Sequence, residues 1–314
     1  MIRWLLLISG FMLLWVLQWL HPISLNTQSL FFLTGIVVLG VPHGAADLLV
    51  ATRQATDSNQ SFKTIPFFIN YLGRLIVFAG ILCFFPLTGN LLFIVFAAYH
   101  FGETDLYLFS IRGFAGKLFV VAYGLLILGV ILLHHFEEVK PLFQLFESGK
   151  QYTPLLNWID MYRYSILSLL ALLFFAASFY YFTTNSSQQQ QQGLFLVQFA
   201  LILFILYQLP MMLGFSFYFI VWHSVLSLRN IIQYLRKDGL FSVRQIAKKI
   251  GFYSTLAMVG IMLFGFGGFM FVSRDTVLVY VFLGLAVLTA PHMQIMHNMY
   301  QSLRRQYPFH KSTQ

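Results

Sequence analysis

The sequence predicts an all-α fold, a polytopic transmembrane helix bundle of about 8–10 spans, and three observations carry that prediction. Charged residues make up only 9% of the chain against 59% hydrophobic, with a mean hydropathy of +0.76. Soluble domains carry about 25% charged residues, so a water-soluble fold does not suit this composition. Apolar stretches of about 20 residues, the length that crosses a bilayer core, recur along the chain. Short joints rich in Pro, Gly and polar residues separate most of them, such as Phe85-Pro-Leu-Thr-Gly-Asn90 and Pro210-Met-Met-Leu-Gly214.

Taken in order, the spans fall at roughly 4–20, 29–50, 65–85, 90–110, 117–135, 163–183, 194–212, 215–235, 251–272 and 276–298. The run from Trp4 to Leu20 is long and lacks a small-residue cleavage site, so it reads as a first span and not a signal peptide. The third span contains Arg74, which either snorkels, pairs with a buried acid, or shows that the span starts later. The fifth ends at His134 and His135 beside Glu137 and Glu138, a solvated helix end. The stretch 136–162 mixes Glu137, Glu138, Lys140, Glu147, Lys150 and Asp160, and suits a short interfacial helix. The stretch 183–193 contains Asn-Ser-Ser and five consecutive glutamines, a polar linker that cannot form a core. Residues 1–314 thus read as a single integral-membrane domain, with linker 183–193 able to separate two helix groups.

The net charge of +9 does not indicate nucleic acid here. Lys and Arg collect in cytoplasmic loops of membrane proteins. Arg53, Lys63, Arg112, Lys117, the Arg229–Lys249 segment, Arg304, Arg305 and Lys311 all fall on one side if both termini are cytoplasmic. The single Cys83 leaves no disulfide framework or thiolate metal site, and it reads as a small core residue.

Four histidines sit inside these apolar runs: His43 in Gly40-Val-Pro-His-Gly-Ala-Ala-Asp47, His100 in Tyr99-His-Phe-Gly-Glu-Thr-Asp105, His223 in Trp222-His-Ser224, and His292 in Thr289-Ala-Pro-His292. An ionisable ring in the hydrocarbon layer is costly, so each marks a functional site by default. Their spans all run from outside to inside, and each histidine lies about 9 to 17 residues into its span. At a rise of 1.5 Å per residue, all four fall within about 12 Å of one another in depth. Four imidazoles at one depth suggest a metal, without choosing among iron, copper, zinc and nickel.

Neighbouring residues can support such ligands. Pro42 deprives the carbonyl of Val38 of its helical donor and invites a kink, as Pro291 does for Val287. Asp47, four residues after His43 and about 40° around the helix, can hold that imidazole in its tautomer. Glu103 is nearly on the face of His100 and is the nearer acidic support for it, while Asp105 is about 140° away and closer to the interface. His297 reads as a headgroup-level residue, and His21 and His310 lie in loop and tail.

Together these contexts resemble, in the same order, the motifs of the Brp/Blh family, the bacterial β-carotene 15,15′-dioxygenases. The resemblance runs from residue 40 to 292. It implies an integral-membrane, Fe(2+)-dependent enzyme that cleaves β-carotene at its central double bond with dioxygen, giving two all-trans retinals. It also implies histidine ligation of iron, carried onto His43, His100 and His223. Family members place a further histidine four residues after the Trp-His-Ser histidine, and Ser227 stands there in this chain. His292 is the candidate to complete the site, and three histidines plus water are the alternative. The implied setting is multi-pass in the bacterial inner membrane, with both termini cytoplasmic and a microbial rhodopsin as downstream user of the retinal.

Rival readings are weaker. A membrane di-iron enzyme needs about eight clustered histidines, and an opsin needs a lysine well inside a span. A non-catalytic carotenoid- or retinoid-binding or transport protein of the same fold is the main alternative, since buried His, Asp and Glu also serve relays.

Overall fold

The computed structural model describes residues 1–19, 23–111, 113–145, 152–239, 241–269 and 277–306. Of the residues singled out above, His21, Arg112, Glu147, Lys150, His310 and Lys311 lie outside that set. Every described regular element is helical. Among the described residues, seven helices are long and apolar enough to cross a membrane. The chain forms two compact units, Met1–Gly35 with Asp105–His223, and Ile36–Thr104 with Ser224–Gln314. The polar stretch 183–193 lies within the first unit, where Ser186–Gln191 forms a 3₁₀ turn.

In chain order the helices are α1 (Ile2–Trp19), α2 (Leu25–Gly35), α3 (Val41–Ala45), α4 (Asp47–Asp57), α5 (Thr64–Phe84), α6 (Pro86–Asp105) and α7 (Gly113–Gly129). They continue as α8 (Phe136–Leu145), α9 (Thr153–Thr184), α10 (Gln192–Gln208), α11 (Met211–Ser216), α12 (Val225–Leu235), α13 (Val243–Phe269) and α14 (Val277–Gln306). Wide π turns interrupt them at Ile36–Gly40, Val130–His134 and Phe217–Ser224. Such turns are rare and favour functional positions. The short helix expected between the fifth and sixth spans is α8.

The first unit is built on aromatic packing. Phe119 stacks on Tyr181 at 4.7 Å and Tyr123 meets Phe199 at 4.6 Å, joining α7, α9 and α10. Gly10 allows α1 to lie close: a Cβ there would stand 2.8 Å from side-chain atoms of Ile205 and Phe217. The helix end at His134 is less solvated than the sequence suggests, because His134 stacks on Tyr207 at 3.8 Å. His135, 3.6 Å from Glu138, holds that carboxyl below the usual carboxylate range.

In the second unit, Phe78 and Leu82 of α5 pack with Ala286 and Val287 of α14. Buried Arg53 pairs with Asp57 and Asp238, and Lys237 and Tyr234 also reach Asp57, fastening α4 to α12 and the residues after it. Cys83, expected in the core, is exposed on α5. A lipid-facing thiol in an apolar helix satisfies the same sequence pattern as a core one.

Candidate metal centre

His43, His100 and His292 belong to the second unit, and all three are buried. The π turn Ile36–Gly40 precedes Pro42, whose missing N–H leaves the Val38 carbonyl without an ordinary helical donor. The wide turn absorbs that defect and delivers His43 on α3. Its Nδ1 lies 3.3 Å from Ser224 Oγ. His100 sits on α6, and His43 and His100 each offer a ring nitrogen within 4.8 Å of the other. The ring of His292 stands edge-on to both, 4.9 Å from His43 and 5.0 Å from His100 between centroids.

Asp47 supports a different histidine from the one expected. Its Oδ1 accepts from His292 Nδ1 at 2.7 Å, and its Oδ2 accepts from Tyr71 Oη at 3.1 Å. A carboxylate accepts only, so His292 carries a proton on Nδ1, and in the neutral ring the lone pair is on Nε2. That Nε2 is buried and has no hydrogen-bond partner among the described residues. An imidazole held by a carboxylate on one nitrogen and open on the other is how metal-binding histidines are commonly prepared.

Glu103 is likewise engaged elsewhere than the sequence suggests. Fully buried, it accepts from Arg304 at 3.1 Å and lies 3.0 Å from His297 Nδ1, with Tyr99 Oη at 3.4 Å. His297, expected at headgroup level, is half-buried in this cluster with Glu103 and Arg304. The signal was present: a buried acid needs a cation, and His297 and Arg304 are seven residues apart on one face of α14.

His223 closes the first unit and is fully buried in the π turn Phe217–Ser224, its ring stacked on Phe219. Trp222 beside it donates from Nε1 to Asp105 Oδ2 at 2.9 Å. Tyr123 and Tyr218 donate to the same oxygen at 2.8 and 2.9 Å, and Arg3 donates to the Asp105 carbonyl. Asp105, the last residue of α6, is thus buried in that unit with three side-chain donors on its Oδ2. Ser227 is fully buried on α12. Tyr71 and Tyr218, which no sequence motif singles out, join the network only through folding, and Ser224, quoted above only as part of the Trp-His-Ser motif, gains its contact with His43 the same way.

These features define a class: a helical membrane protein with buried histidines held by carboxylates and hydroxyls. The chain belongs to the beta-carotene 15,15′-dioxygenase family, whose family model matches residues 34–300. No curated protein and no solved structure matches it.

Proposed function

We propose that the protein is an iron-dependent β-carotene 15,15′-dioxygenase of a bacterial inner membrane, with both termini cytoplasmic. The observation that carries this reading is His292, locked on Asp47 through Nδ1 and open at a buried Nε2 between the rings of His43 and His100. The all-imidazole donor set suits ferrous iron. The proposed ligands are His43, His100, His223 and His292, with His292 standing in for the histidine that Ser227 replaces. His223 is included because the family's Trp-His-Ser motif falls on it.

Ferrous iron at such a site would supply activation of dioxygen. The residues supply the rest. Asp47 and Tyr71 orient His292, Ser224 orients His43, and Asp105 holds Trp222 beside His223. Burial excludes water from reactive oxygen species. The atoms balance without an external reductant: the central C=C bond breaks, and each carbon takes one oxygen of O₂ to give two retinals. β-Carotene is an apolar rod about as long as the bilayer is thick, so it is already dissolved where these residues lie.

The test is expression in carotene-producing cells, with retinal and bound iron measured. Wild type is expected to produce retinal, and His43→Ala, His100→Ala, His223→Ala and His292→Ala each to lose it with the iron. Intact β-carotene in wild-type cells holding metal-loaded protein would sink the enzyme reading and leave a carotenoid carrier.

A further inference from the structure

A groove of about 450 Å³ runs along α5, lined by Asn70, Gly73, Arg74, Val77, Phe78, Ile81, Leu92, Phe96 and Ala290. Its walls are apolar except at Asn70 and Arg74, which lie one turn apart on the same helix face. Arg74 is the eleventh residue of the 21-residue α5, which places it about 15 Å from the helix start and near the middle of a bilayer core of about 30 Å. No acid pairs with it among the described residues. Among the described residues, neither Arg74 nor Asn70 has a side-chain hydrogen bond or ion pair. A guanidinium at that depth is expensive and ordinarily marks a ligand or a path.

The helices that wall the groove also carry residues of the histidine site. Tyr71, next to Asn70, donates to Asp47. Leu92 and Phe96 of its α6 wall continue, at the same four-residue interval, to His100. An occupant must therefore be a long apolar molecule with a hydrogen-bond acceptor at mid-membrane depth. A phospholipid phosphate lies at the bilayer edge, whereas cutting a bilayer-spanning polyene at its centre creates carbonyl oxygens at the depth of Arg74.

We infer that this groove is the docking site of the polyene aldehyde product, with Arg74 and Asn70 donating to its carbonyl oxygen. The inference rests on the cleavage reading above, and it is testable without turnover. The full-length protein, held in nanodiscs, is titrated with all-trans-retinal and with the same polyene ending in a methyl group, following tryptophan quenching. Wild type is expected to bind the aldehyde more tightly. Arg74→Met is expected to weaken aldehyde binding about tenfold or more, as loss of a hydrogen bond to a charged group does, with hydrocarbon binding unchanged. Arg74→Lys should keep part of the preference, and unchanged helicity by circular dichroism guards against misfolding. Equal affinity for both polyenes in wild type, or a preference that survives Arg74→Met, overturns the proposal. So does Arg74-dependent retention of an anionic phospholipid with no preference for the aldehyde. If cells make no retinal while the Arg74-dependent preference holds, it is the cleavage reading that fails and the aldehyde site stands.

Discussion

His292 gains its meaning from a side chain 245 positions away in sequence, Asp47, which fixes its tautomer at 2.7 Å. That single contact determines which nitrogen is free to bind a metal. Asp47→Asn keeps the shape but weakens the acceptor's hold on the ring, and substitutions of this kind cost about 10–100-fold in metal affinity. Titrating purified variant and wild type with Fe(2+) checks it; equal affinities would remove Asp47 from the site. Ser224 plays a comparable role at His43, and Trp222 transmits the hold of Asp105 to the backbone of His223.

At the scale of the element, π turns aim two of the four histidines, His43 and His223. Ile36–Gly40 accommodates the donor lost at Pro42, and Phe217–Ser224 contains His223 itself. Removing the extra residue of such a turn rotates the next helical segment by about 100°. Pro42→Ala restores the N–H that an ordinary helix needs and is expected to tighten the turn, swinging His43 off its partners. Iron content and retinal production should both fall at least about tenfold, and retention of both would show that the turn does not depend on Pro42. The π turn at Phe217–Ser224 contains no proline, and nothing in its local sequence explains it.

For the whole molecule, the second unit pairs its buried acids with its own basic residues before the histidines are considered. Glu103 is paired by Arg304 and His297, and Asp57 by Arg53 and Lys237. The histidine cluster then stands apart from these ion pairs, and imidazole nitrogens are donors that suit a metal cation. A ligand that binds only the folded state stabilises it by about 2.7 kcal/mol at a hundredfold excess over Kd. Stripping iron with a chelator is therefore expected to lower the thermal midpoint of wild type and to leave His43→Ala unmoved. An unchanged wild-type midpoint would mean that no structural share of the fold belongs to the metal.

Fold class and the four histidines were legible in the chain because both depend on local pattern: apolar runs of bilayer length, and polar rings that stand out within them. Arg74 was visible as an anomaly for the same reason. Pairing was not legible. The sequence placed Asp47 with His43 and Glu103 with His100, since helical spacing is the only geometry it contains. Folding gave Asp47 to His292 and Glu103 to α14, and it brought Tyr71, Tyr218 and Ser224 to the carboxylates and rings. A buried charge takes whichever donor the packing brings within 3 Å or so, and that donor can lie anywhere along the chain. Composition and periodicity determined where the histidines had to be, and tertiary contact alone decided which carboxylate holds which ring.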